Sequence, residues 1–173
     1  MNFTVKKSIE ILERTPTVLH VMLQNISAGW TSGNEGEGTW SAFDIVGHLI
    51  HGEKTDWIPR LEIILTEKAD KKFVKFDRFA QFEESKDKSM SQLLDEFKIL
   101  RERNIKILLT KKISEKDLCK TGIHPAFGEV TLAQLLSTWV VHDLNHIAQI
   151  SRVMAKRYRS DVGPWTEYLK ILQ

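Results

Sequence analysis

The residues that break helices are few in this chain, and they are bunched. Only four prolines occur in 173 residues, and the glycines concentrate between residues 29 and 52. The long stretches between these breakers carry apolar residues at helical spacing, and none sustains a period-two alternation of β-branched residues. The expected fold class is therefore all-α.

Val5, Ile9 and Leu12 mark a first helix near residues 4–14. Thr15-Pro16 reads as a new start, with Thr as N-cap and Pro at the first helical position, for a helix to about residue 27. Residues 28–38 read as a loop by composition. Ser41-Ala42-Phe43-Asp44 is an acidic variant of the capping box and opens a helix to about Thr66, kinked at Pro59. Residues 67–88 read as a crossover loop, followed by a helix over about 90–110. A further loop runs through Gly122-Ile123-His124-Pro125-Ala126-Phe127-Gly128-Glu129. A second capping box, Thr131 to Gln134, then opens a long helix to about Tyr158. Gly163-Pro164 starts a short terminal helix that ends near Ile171. With no internal repeat and no linker, the expectation is one domain over residues 1–173. Four main helices imply an antiparallel four-helix bundle.

Charge and composition narrow the function classes. Twenty-five basic side chains against 23 acidic ones leave a net charge of +2, which gives no electrostatic reason to expect nucleic acid as partner. No apolar run reaches the roughly 18 residues needed to span a bilayer, and Met1-Asn2-Phe3-Thr4-Val5-Lys6-Lys7 leads into mixed charge instead of an apolar signal core. A single cysteine, Cys119, cannot form an internal disulfide. A cytoplasmic protein that engages neither membrane nor nucleic acid is expected.

The chemistry points to histidine. His142 and His146 lie four apart, so a helix places both imidazoles on one face, one turn from each other. Such a pair can chelate a metal. The spacing matches part of the zinc-protease motif, but Asp143 stands where that motif needs Glu, and its shorter side chain is a poor substitute base. On a helical wheel His142 shares its stripe with Thr131, Leu135, Thr138, His146 and Gln149. In the helix over 42–66, His48 shares a stripe with Ser41, Asp44, His51, Gly52 and Thr55. Two such stripes facing each other would line a cavity; facing outward they would be solvated surface. Spacing alone does not choose His48 over His51 as a third ligand. Gln149 is a candidate hydrogen-bonding neighbour of the histidines, Glu53 and Arg60 are candidates for structural ion pairs, and Trp57, Trp139 and Trp165 for core or interface positions. No His or Asp stands at a spacing that would make Cys119 a nucleophile.

Three segments resemble those of the DinB/YfiT-like proteins. Trp40-Ser41-Ala42-Phe43-Asp44-Ile45-Val46-Gly47-His48-Leu49-Ile50-His51-Gly52-Glu53 is similar to the family's Trp-Ser…His-Leu…Glu segment. The stretch from Gly122 to Leu132 resembles its approach to the last bundle helix, and His142-Asp143-Leu144-Asn145-His146 its His-x-x-x-His segment. The resemblance runs from Thr15-Pro16 to Tyr168-Leu169. It implies a four-helix bundle in up-down-down-up order with short extra terminal helices. It also implies one divalent transition metal (zinc, nickel, manganese or iron) held by His48, His142 and His146, with His51 as a neighbour. A homodimer, a small-molecule substrate, and either thiol S-transfer with bacillithiol or a related low-molecular-weight thiol, or metal-dependent hydrolysis, are implied in the same way. Three protein ligands leave open coordination positions, as catalytic sites do, and a thiol or a water in such a position becomes the better nucleophile.

Overall fold

The computed structural model describes residues 2–173. Its helices are α1 (Val5–Leu12), α2 (Thr15–Leu23), α3 (Ala28–Thr31), α4 (Ala42–Thr55), α5 (Trp57–Leu65), α6 (Ala80–Ser85), α7 (Met90–Thr110), α8 (Glu115–Leu118) and α9 (Leu132–Ala155). Between α8 and α9, strands β1 (Thr121–His124) and β2 (Gly128–Thr131) form an antiparallel hairpin with Thr121 opposite Thr131 and His124 opposite Gly128.

Two apolar clusters fix the directions of the long helices. One gathers Leu12, Trp57 to Ile64, Ile105, Leu108 and Leu132 to Trp139. The other gathers Leu19, Leu23, Ala42 to Ile50, Leu93 to Phe97, Ile150 and Val153. The first therefore holds the start of α1–α2, the end of α4–α5, the end of α7 and the start of α9. The second holds the opposite ends. The order is up-down-down-up, a four-helix bundle whose two middle members run parallel and are joined by a crossover along the molecule. No helix among the described residues is long and apolar enough to cross a membrane.

Several local expectations are corrected. Thr15 does not cap α2; it lies inside it, and its hydroxyl donates to the Ile11 carbonyl at 3.2 Å. The helix over 42–66 breaks at Asp56 (φ −110°, ψ −70°), not at Pro59 itself. The physical reason is that proline offers no N–H to the carbonyl four residues back and its ring crowds that carbonyl. The ladder must therefore part a turn earlier, which leaves Pro59 in the first turn of α5. The loop expected at 28–38 contains the short α3, and the crossover contains α6. Instead of a plain loop, residues 121–131 form the hairpin, whose four-residue strands are too short for their alternation to stand out. Gly128 sits at φ +71° to close its turn. The terminal helix is two 3₁₀ turns, over Gly163–Glu167 and Lys170–Leu172.

Candidate metal centre

The elements that carry the histidines are well anchored. Ser41 and Asp44 cap α4 reciprocally, at 2.9 and 3.2 Å, and Thr131 and Gln134 cap α9 at 2.8 and 3.1 Å. These caps satisfy donors that a helix start leaves orphaned. At mid-bundle, Arg101 of α7 ties the histidine-bearing helices together. Its guanidinium donates to Glu53 of α4 at 2.8 and 3.1 Å and to both oxygens of Asp143 of α9 at 2.5 and 3.0 Å. It also donates to the Leu12 carbonyl at the end of α1, at 2.9 Å. One buried side chain thereby touches all four bundle members. Asn104 and the Trp139 indole donate further bonds to Glu53.

Asp143 turns to Arg101 in the bundle interior, while His142 and His146 reach His48 of α4. There the Nε2 of His142 lies 3.1 Å from the Nε2 of His48 and 3.1 Å from that of His146. One ligand nitrogen from each of the three lies within 4.8 Å of the others. His48 and His146 are buried and His142 is half-buried. Burial lowers all three pKa values: His48 to about 3, with His146, His51 and Arg78 adding to the effect, and His142 to about 2, with His146, His48 and Arg101 adding to it. For His146 burial again dominates, opposed by its bond to Gln149 and by Asp143. The rings are neutral at ordinary pH and keep a lone pair each.

This donor set fits a divalent transition metal. An ion about 2.0–2.1 Å from each of two imidazole nitrogens holds them roughly 2.9 Å apart at a right angle and roughly 3.4 Å apart at the tetrahedral angle. The 3.1 Å of the His142–His48 and His142–His146 pairs falls between. His146 Nδ1–H donates to Gln149 Oε1 at 2.8 Å, which leaves its Nε2 as the free acceptor turned to the cluster.

Of the other residues singled out from the sequence, His51 is held apart by Glu84, with its Nδ1 at 2.9 Å from Oε1, and packs on Phe76. Glu53 and Arg60 both form ion pairs, Glu53 with Arg101 and Arg60 with Asp56. Trp57 and Trp139 are buried and stacked, with ring centroids 5.6 Å apart, whereas Trp165 is exposed. Cys119 is exposed at the end of α8.

The three imidazoles lie on a cleft of about 1180 Å³. Trp40 and Phe76 flank His48 at 4.8 and 5.4 Å, and Trp57 flanks His142 at 5.1 Å. Two carboxylates line the cleft, Glu35 and Asp56. Glu35 is bonded by Arg152 and Lys156, which hold its pKa down at about 2. Burial pushes Asp56 up, against the pull of Arg60. Sequence reasoning missed Asp56 and Phe76. The i, i+4 spacing of Asp56 and Arg60 was the available signal for the first; nothing local signals that Phe76, from the crossover, returns to His48.

A family model described as the DinB superfamily matches residues 11–150. No curated protein matches the chain. Among solved structures, YfiT from Bacillus subtilis, described as a probable metal-dependent hydrolase with an unusual four-helix bundle topology, is 21% identical with a TM-score of 0.73 over 90% of each chain. TT2238, described as a four-helix bundle protein, is 17% identical with a TM-score of 0.55, covering 86% of this chain and 98% of its own.

Proposed function

Because this chain belongs to the DinB superfamily, we propose that His48, His142 and His146 together hold one divalent transition metal ion and that the protein is a metal-dependent enzyme, in the first reading a hydrolase. The observation that carries this is the convergence of three neutral imidazole nitrogens, from two helices, at the floor of a cleft. The description of YfiT as a probable metal-dependent hydrolase supports the same class.

A divalent ion there supplies a Lewis acid that lowers the pKa of a water or thiol brought to it. The protein's own groups do the rest. Gln149 holds the proton of His146 on Nδ1, so that Nε2 remains the ligand atom. Asp143 stays bonded to Arg101, so no carboxylate of the histidine segment offsets the ion's charge. Asp56 is the better proton acceptor of the two cleft carboxylates, since Glu35 is committed to two cations. Trp40, Trp57 and Phe76 keep water from the flanks of the rings.

Transfer of a small thiol is the second reading. The cleft, at about 1180 Å³, exceeds the roughly 300–1000 Å³ that serves one drug-sized ligand, so it has room for a thiol beside an electrophile.

Metal analysis of purified protein after remetallation tests the proposal, with His142→Ala as the control. About one equivalent is expected in the wild type and far less in the variant; a wild-type content below about a tenth of an equivalent overturns it.

A further inference from the structure

We propose that the cleft takes an anion carrying a planar apolar body, with Lys75 and Arg78 of the crossover receiving the charge and Phe79 and Phe127 packing against the body. The inference deepens the metal-enzyme reading and rests on it for the place of the reacting centre.

Two observations carry it. The first is the fate of the cleft's charges. Four cationic side chains line it against two carboxylates. Arg152 is engaged by Glu35, with bonds of 2.9 and 2.8 Å, and Arg60 by Asp56. Lys75 and Arg78 have no ion-pair partner among the described residues. Asp77, between them in sequence, accepts the Phe79 backbone N–H at 2.9 Å and is not part of the lining. The unbalanced charge is therefore the crossover's, and it lines the same cleft as His48.

The second observation is the aromatic rim. Phe79 is 68% exposed and Phe127 is 78% exposed, yet both line the cleft. Phe127 lies flat on His124, with centroids 4.5 Å apart and planes 16° apart. His124 is fixed in turn because its Nδ1 accepts the Ala126 and Phe127 backbone N–H groups, at 3.1 and 3.3 Å. The rim ring is thus held in place while its outer face stays open. Apolar faces kept on a concave surface beside uncompensated cations suit a ligand with both characters.

Calorimetric titration of metal-free protein tests this, with 2-naphthoate, 2-naphthyl phosphate and neutral 2-naphthol as probes. Acetate and inorganic phosphate serve as anions without the ring. At least one naphthyl anion is expected to bind about tenfold more tightly than 2-naphthol and than its ring-less counterpart; which of the two does so distinguishes carboxylate from phosphate chemistry. Lys75→Gln with Arg78→Gln should abolish the first margin, and Phe79→Ala with Phe127→Ala the second. All four side chains are exposed, so the fold should tolerate these changes. Equal affinity for charged and neutral rings, no saturable binding, or margins that survive the variants would overturn the proposal. So would a dimer converted to monomer by the phenylalanine variants with ligand affinity unchanged, since the rim would then be an interface. Because the protein is metal-free throughout, this result is independent of whether remetallation succeeds.

Discussion

Gln149 shows how much of the proposed centre depends on a residue that is not a ligand. Its Oε1 accepts the His146 Nδ1–H at 2.8 Å, and so selects the tautomer and the ring orientation. Gln149→Ala removes that acceptor, and metal affinity is expected to fall about 10- to 100-fold in a chelator competition, with little loss of fold stability. His51→Ala, beyond the cluster, is expected to leave metal content unchanged. The contrast also marks what the sequence could convey at this scale. His142, His146 and Gln149 share one stripe of one helix, so their association is written in their spacing. His48 and His51 are three apart on the same stripe, and helical geometry favours neither. The choice comes from outside α4: Glu84 of α6 draws His51 toward the crossover, while α9 meets His48. Asp56 and Phe76 join the cleft through such long-range placement as well.

Among the elements, α4 and α9 were legible because each opens on a capping box, and α7 because of its long apolar period. The hairpin was not, because each four-residue strand offers only two alternations, fewer than a pattern needs. Nor was the partnership that sets the rotation of the helices. Arg101 reads in sequence as one more charge on a surface helix, yet it is 1% exposed. Burial works against its charge, but Glu53 and Asp143 outweigh that and raise its pKa. Such a centre is costly to break on one side. Arg101→Met leaves two buried carboxylates without their cation and an α1 carbonyl without its donor, and is expected to cost about 3–5 kcal/mol in urea unfolding. The triple variant Arg101→Met, Glu53→Gln, Asp143→Asn removes all the charges together and should recover the part of that loss that comes from uncompensated charge, leaving the cost of the unpaired Leu12 carbonyl. A triple variant no more stable than the single one would mean that Arg101 acts through packing on Phe97 and Trp139, over whose rings its guanidinium lies at 4.9 and 5.3 Å.

At the scale of the molecule, the parallel middle pair explains why the cleft has a roof. A chain that runs down twice in succession must return along the bundle, and residues 66–89 do so across α4, where α6 packs. That return brings Phe76 against His48 and adds Arg78 and Phe79 to the cleft lining, and it is pinned to the hairpin. The Phe73 N–H donates to the Ile123 carbonyl and the Ile123 N–H to the Lys71 carbonyl, both at 2.9 Å. The buried Phe73 ring lies over Gly122, where an added Cβ would stand 2.5 Å from its Cε1 and 2.9 Å from Cγ1 of Ile64. At these separations something must shift, so Gly122→Ala displaces the ring or the strand. The expected cost is about 1–3 kcal/mol, the usual range for overpacking. The location of the damage is the sharper expectation. Amide hydrogen exchange should quicken over residues 71–79 and 121–131, while α4, α7 and α9, held by the two apolar clusters and by Arg101, keep their protection. Uniform loss of protection across the bundle would instead mean that crossover and hairpin are part of one cooperative unit with the four helices, and that the roof of the cleft cannot open without them.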